Sequence, residues 1–344
     1  MTAQSTVLKA IRSTWPVLSL ALLLLVIVLA ISAFGGTGLQ RNATEALIRI
    51  VVVIGLYIFI GNSGVMSFGS IAFMAVGAYA SAWQTCCPRL KPYNMTGLPD
   101  FLKHNTFDVF TAALSSATLA AIFAFAVGYP IMRLSGISAS IATLAVLAII
   151  NVTYANWDTV TLGTNSVVGL PGYVDMWVAL GCSVLAMSVA FIYQETKMGK
   201  ALRAASQDEV AAKAVGINVP HQRLVAWVLS AFFVALGGVL YAHFVTVITV
   251  NVFYLDMTFI TLAMLVVGGM KSLAGAVMGV VVLSAVIEVF RNLEKGIEIF
   301  DIGVRLPVSS QEVALGVIMV LILILRPAGI MGGKEIYWPF PTSK

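Results

Sequence analysis

Between Ile50 and Pro88 the chain runs for 39 residues without a charged side chain. As a single helix rising 1.5 Å per residue it would be about 58 Å long, roughly twice the ~30 Å hydrocarbon layer of a bilayer. The stretch must therefore hold two crossings or one interrupted pair, and Gly61, Gly64 and Gly69 mark the interruption. Val17–Phe34 and Val109–Met132 are likewise free of charge. With 60% hydrophobic and only 10% charged residues, against roughly 45–50% and 25% in soluble domains, the chain cannot cover a soluble surface. A soluble enzyme is excluded. Stretches such as ALLLLVIVLAI do not alternate apolar and polar positions, which excludes a membrane β-barrel. The expected class is an all-α polytopic membrane protein.

Ten apolar segments are expected to cross, at roughly 17–34, 46–60, 68–84, 109–130, 136–152, 177–193, 222–248, 257–270, 272–290 and 311–325. Orientation follows from the polar stretch Glu195–Arg223, whose Lys197, Lys200, Arg203, Lys213 and Arg223 belong on the cytoplasmic side. Counting outward places both termini inside and 85–108, 153–176 and 291–310 outside. Lys9 and Arg12 precede an apolar run of 18 residues, longer than a signal-peptide core, so a retained signal anchor is expected. The net charge of +5 is spread over the ends of apolar runs rather than gathered in a stripe. That distribution suits a membrane protein with no nucleic-acid partner.

Glycine-interrupted apolar segments occur once in each half, at 61–81 (GNSGVMSFGSIAFMAVGAYAS) and 266–279 (VVGGMKSLAGAVMG). Matched broken helices of this kind point to a translocation pathway between related halves. Asn62, Ser63, Gly64, Ser67, Gly268 and Gly269 are the pathway candidates. Small residues also let helices approach closely, as in the GxxxG spacing of Gly275 and Gly279, so packing and pathway both remain open. Few charges fall in the apolar runs, and the hydroxyl and amide groups near the first break suit a small polar, zwitterionic or neutral solute better than a bare ion. An ion-coupled carrier or channel would need buried ionisable groups that this sequence scarcely supplies.

No catalytic or metal-binding constellation is present. His104, His221 and His243 lie far apart without accompanying motifs, and His243, alone on an apolar helix, reads as a packed core residue. Cys86, Cys87 and Cys182 have neither ligand nor disulfide spacing. Gly199-Lys200 and Gly333-Lys334 lack the rest of a phosphate loop, so ATP, if used, must bind another chain. Trp83, Trp157, Trp177 and Trp227 suit an interfacial aromatic belt. Glu45, Arg49, Asp256, Glu288 and Arg291 lie near expected span ends, as snorkelling or interfacial ion pairs.

Residues 195–221 are polar yet rich in helix formers, with Gly216 placed to end a helix and Pro220 just beyond. A cytoplasmic helix–turn–helix is expected. Its Ala211, Ala212 and Gly216 form a small-faced AAxxxG spacing preceded by Asp208 and Glu209, a surface that could lie in a partner's groove.

This segment resembles the EAA coupling motif of ABC-importer permeases. With SGVMSFGSIAFMAVGAYASA, TLGTNSVVGLP, VVGGMKSLAGAVMG and RPAGIMG, in order over about 46–331, the chain is similar to LivM-type permeases of the branched-chain amino-acid ABC transporter family. The resemblance implies a single transmembrane permease domain over 1–344 in an inner membrane. Its implied partners are a second, homologous permease, two cytoplasmic ATPases carrying ATP and Mg, and an extracytoplasmic substrate-binding protein. No cofactor is implied for this chain, and it would not itself be an enzyme. Asp208, Glu209, Ala211, Ala212 and Gly216 would meet the ATPase. Val210 stands where the motif has Glu, and Glu209 lies one place earlier. Thr164, Asn165 and Ser166 fall in the loop that would face the binding protein, and they depart from the family's TGGxxGLxxIP pattern. The implied cargo is branched-chain or related small amino acids, with urea, short amides or small carboxylates as the alternative.

Overall fold

The computed structural model describes residues 3–86, 91, 95–295, 297–299, 302–304, 307, 310–326, 328–333 and 335. Among them are fourteen α-helices. In chain order these are α1 (Ala3–Phe34), α2 (Thr37–Ser63), α3 (Ser70–Thr85), α4 (Asp100–His104), α5 (Val109–Ile131), α6 (Gly136–Ala155) and α7 (Asp158–Thr161). There follow α8 (Met176–Glu195), α9 (Lys197–Gln207), α10 (Glu209–Ala214), α11 (Val219–Val245), α12 (Leu255–Gly268), α13 (Leu273–Lys295) and α14 (Ser310–Leu325). Among the described residues, sheet is confined to two antiparallel pairs. In one, β1 (Val167–Val168) sets Val167 opposite Ile248 of β2 (Val247–Ile248), and in the other, β3 (Ile297–Ile299) sets Ile297 opposite Val304 of β4 (Ile302–Val304).

Each of the ten expected spans coincides with a helix. Seven are long and apolar enough to cross a bilayer, whereas α3, α12 and α14 have only 16, 14 and 16 residues. Two boundaries move substantially: α1 begins at Ala3, ahead of its apolar run, and α2 begins at Thr37, because TGLQRNATEA continues as helix ahead of the apolar run. Glu45 and Arg49 therefore lie inside that helix. Arg291 is 3.9 Å from Glu45, 3.8 Å from Glu288 and 3.2 Å from the Asn42 side chain, so an ion pair does form there.

The chain packs as two units, one of residues 47–262 and one of 1–46 with 263–344. In the first, α3 is the central helix. Fourteen of its residues are buried, among α11, α5 and α6. Contact with α11 is backbone to backbone: a Cβ at Gly77 would fall 2.3 Å from the Ala235 carbonyl oxygen, and one at Gly238 2.1 Å from that of Met74. Helix α5 turns a stripe of small residues inward, Ala112, Ser116, Ala120, Ala124 and Gly128, while Phe110, Leu114, Ile122 and Phe125 face out. Small residues inside and large apolar ones outside is the polarity of a helix solvated by lipid.

Trp227 corrects the aromatic-belt expectation. It is fully buried, with its ring edge-on to Phe59 at 5.1 Å and Phe73 at 5.2 Å, in space left by Gly128. Trp157 and Trp177 are exposed, as a belt requires. In the second unit α1 and α14 pack against α13.

Candidate functional site

The polar segment between α8 and α11 folds as a compact helical hairpin held by local chemistry. Thr196 caps α9 by accepting from the Gly199 amide at 3.1 Å, and Asp208 caps α10 by accepting from the Val210 and Ala211 amides, each at 2.9 Å. Helix α10 ends at Gly216, which has φ +86°. There the Gly216 amide donates to Lys213 and the Ile217 amide to Ala212, each at 3.0 Å, which is the paired bonding of a glycine C-cap. Ala205 and Ala212 pack with Ile217 and with Val219, the first residue of α11, in a small core.

The candidate coupling residues thus divide. Ala212 points into this small core and Asp208 serves as a helix cap, whereas Ala211 and Gly216 are exposed. Glu209 binds Lys213 at 2.8 Å and Arg223 of α11 at 2.8 Å. The Lys213 hydrogen bond first, and then Arg223, hold its carboxyl below the ordinary carboxylate range despite partial burial. The most exposed apolar side chains on the hairpin are Val210 at 79% and Val215 at 78%.

A second attachment runs from α9 to the end of α2. Arg203 donates through Nε to Asn62 Oδ1 at 2.7 Å, and through Nη2 to the Tyr57 hydroxyl at 2.7 Å and Gln194 Oε1 at 2.8 Å. Tyr57, Asn62 and Gln194 are all buried. Arg203, Tyr57, Gln194 and Arg223 escaped sequence reasoning as partners. A tyrosine and an amide standing in a charge-free run were a signal, but their pairing with a residue some 140 positions away was not.

The other candidates of the first break are held closely. Asn62 also donates to the Ile58 carbonyl at 2.9 Å; the Ser63 hydroxyl accepts from the Val65 amide at 3.2 Å; and Ser67 and Ser70 share a 2.9 Å bond. Gly64, at φ +70°, lies against Ser206 of α9, where a Cβ would be 3.3 Å from the serine Cβ. The first break therefore sits at the hairpin end of its unit. Gly268 and Gly269 belong to the other unit, where residues 328–331 cover them: the Ile330 and Met331 amides donate to the Val267 and Gly268 carbonyls at 2.8 and 3.1 Å. The Gly275/Gly279 spacing packs α13 onto α12, a Cβ at Gly279 falling 1.9 Å from the Met264 oxygen.

At the opposite end of the 47–262 unit, Thr164, Asn165 and Ser166 are exposed on a tight turn with Leu162 and Gly163 at positive φ. The following residues are anchored by β1–β2 and by His243, whose Nδ1 donates to the Pro171 carbonyl at 3.0 Å. Its Nε2 is then left to accept from the Ser81 hydroxyl. His243 is the packed core residue expected.

Comparison with known proteins agrees with this architecture. The family model described as branched-chain amino acid transport system / permease component matches residues 38–325, and the chain belongs to that family. It is 25% identical over 342 aligned residues to the high-affinity branched-chain amino acid transport system permease protein LivM of Escherichia coli (strain K12), covering 90% of this chain and 73% of the relative. It is 28% identical over 178 residues to the probable branched-chain amino acid transport permease protein LivM of Methanocaldococcus jannaschii, half of each chain. A further relative is the permease protein LivH of Escherichia coli (strain K12), 28% identical over 162 residues and 47% of each chain. No solved structure matches.

Proposed function

We propose that this chain is one of two transmembrane permeases in an ATP-driven importer for branched-chain or related small amino acids. The ATPases bind ATP and Mg on the cytoplasmic side, and a soluble binding protein delivers cargo on the other. The observation that carries the reading is the hairpin: its caps, the small core it shares with Val219 and its ties to α2 and α11 hold Val210 and Val215 exposed on a fixed support. A paired apolar surface of this kind suits the groove of a partner subunit, with the neighbouring Ala211 and Gly216 allowing close approach.

Arg133, Lys197, Lys200, Arg203, Lys213 and Arg223 gather at the hairpin end of the bundle, which supports assigning that end to the cytoplasm. Counting crossings from there puts both termini inside a cell (inner) membrane and Thr164–Ser166 outside, facing the binding protein. Similarity to both LivM and LivH permeases supports pairing with a second, homologous permease.

Reconstitution of this chain with the subunits that co-purify with it tests the reading. ATP-dependent uptake should be competed by leucine, isoleucine and valine, and Val210→Asp with Val215→Asp should release the ATPases while leaving the permease in the membrane. Uptake driven by a proton or sodium gradient in the chain alone would defeat the importer reading. Competition by urea, short amides or small carboxylates, with none by the three amino acids, would replace the cargo class.

A further inference from the structure

Arg203 is a charged group without a carboxylate partner among the described residues, yet all its acceptors are arranged for it. The Asn62 amide nitrogen donates to the Ile58 carbonyl at 2.9 Å, which turns Oδ1 toward the guanidinium. The Tyr57 hydroxyl donates to Gln194 Oε1 at 2.7 Å, which leaves its oxygen lone pairs to accept from Arg203. The three acceptors come from two helices, α2 and α8, and their convergence on one planar fork needs arginine rather than lysine. Such bonding fixes distance and angle between elements, whereas neutralisation of charge would need only proximity.

Besides the packing of Ala205 and Ala212 on Val219 and the Lys200–Glu195 pair where α9 follows α8, two side-chain attachments reach from the hairpin to the long helices of its unit. The Glu209–Arg223 pair joins α10 to α11. The Arg203 cluster joins α9 to the last two turns of α2, immediately before the break at 64–69, and Ser206 one turn on lies against Gly64. Force applied to the hairpin therefore reaches the start of α11 by one route and the broken end of α2 by the other.

We propose that Arg203 is a positioning residue for transport: through its fork on Tyr57, Asn62 and Gln194, movement of the hairpin is delivered to the end of α2 and the adjoining break. The proposal rests on the importer reading above. A purely structural role would lower the amount of assembled complex; a transmitting role lowers the substrate carried per ATP hydrolysed.

The test uses the reconstituted importer with its ATPases, and the readout is that ratio in wild type, Arg203→Gln and Tyr57→Phe. For Arg203→Gln the ATPases still co-purify, hydrolysis persists, and the ratio falls about tenfold; for Tyr57→Phe, which keeps part of the fork, it falls two- to fivefold. The rescue is covalent. A Cβ at position 64 would lie 3.3 Å from that of Ser206, close to the ~3.5–4.5 Å of disulfides. Gly64→Cys with Ser206→Cys, oxidised in the Arg203→Gln background, restores the ratio, and reduction abolishes it again. A wild-type ratio in Arg203→Gln overturns the proposal, as does a formed disulfide that leaves the ratio low. If Arg203→Gln does not accumulate, Tyr57→Phe decides, and a wild-type ratio there is equally fatal. No ATP-dependent uptake by the wild-type assembly would defeat the importer reading itself and the proposal with it, a result separable from normal uptake with an unaffected variant.

Discussion

The two helix breaks look alike in sequence and are built differently. At 64–69 the bonds come from side chains reaching in from elsewhere: Thr143 Oγ1 accepts from the Phe68 amide at 3.2 Å, the Ser140 hydroxyl donates to the Met66 carbonyl at 2.7 Å, and Arg203 holds Asn62. At 269–272 backbone does the same work. The Ile330 and Met331 amides add onto Val267 and Gly268, and a Cβ at Gly268 would fall 1.9 Å from the Gly275 oxygen. Side-chain bonds can be remade at a new distance, while a backbone contact at that spacing has one arrangement. In the first break only the Gly69 end shares such a contact, a Cβ there falling 2.1 Å from the Thr143 carbonyl oxygen, so its Gly64 end is suited to move with the hairpin while the second break keeps its shape.

Alanine substitutions should break this contrast most sharply. Gly268→Ala sets a methyl against backbone that cannot step aside, at a cost of about 4 kcal/mol or more, and folded protein should be nearly absent from detergent extracts. Gly64→Ala meets only the Ser206 side chain at 3.3 Å, so the main cost is its left-handed backbone, about 1–2 kcal/mol, with a correspondingly small drop in unfolding midpoint. Equal losses at the two glycines would remove the distinction. Trp227→Ala sharpens it from the other side. That ring touches Phe59 just before the first break and Phe73 just after it, so its removal should cost about 3–5 kcal/mol. Hydrogen exchange should rise at 59–73 and stay unchanged at 266–275.

A smaller effect is expected at the second break. Glu335 accepts from the Leu273 and Ala274 amides at 2.7 and 3.2 Å, closing the start of α13. Glu335→Gln keeps a carbonyl for one of these bonds and loses the charge that favours a helix N-terminus. A loss of about 1 kcal/mol should appear as a lower unfolding midpoint, with no change in the hairpin's exchange.

Much of this was legible in the sequence because hydrophobicity alone fixes where a chain can cross a bilayer. Apolar runs located the ten helices they were expected to form to within a few residues, except for the starts of α1, where the polar residues from Ala3 are already helical, and of α2, where QRNATE is polar yet helical. Gly216 was legible as a helix end because glycine is the usual residue at such a left-handed position. The inward orientation of Ala212 was not, since AAxxxG does not say which alanine faces outward. Trp227 was misread for a similar reason: an aromatic near the end of a span suits a belt or a core, and only the space left by Gly128 decides. Arg203 in a polar, helix-forming segment carries no mark of its partners on α2 and α8.

The smallest expected effect isolates the hairpin's tie to α11 from its tie to the first break. Glu209 is held below its ordinary pKa by Lys213 and then Arg223. A depressed acid contributes its full stabilisation above the ordinary value of 4.5 and loses it as pH falls through the lowered one. At pH 6, Glu209→Gln should therefore unfold roughly 1–2 °C below wild type, a modest figure because the pair is partly exposed to solvent. As pH falls through the lowered pKa the gap should close, because wild-type Glu209 then becomes protonated as well. The Arg203 cluster contains no carboxylate, so its contribution should not follow this acid profile. If Arg203→Gln showed the same closing gap, the two ties would be one coupled network, and the first break would depend on the Glu209 charge after all.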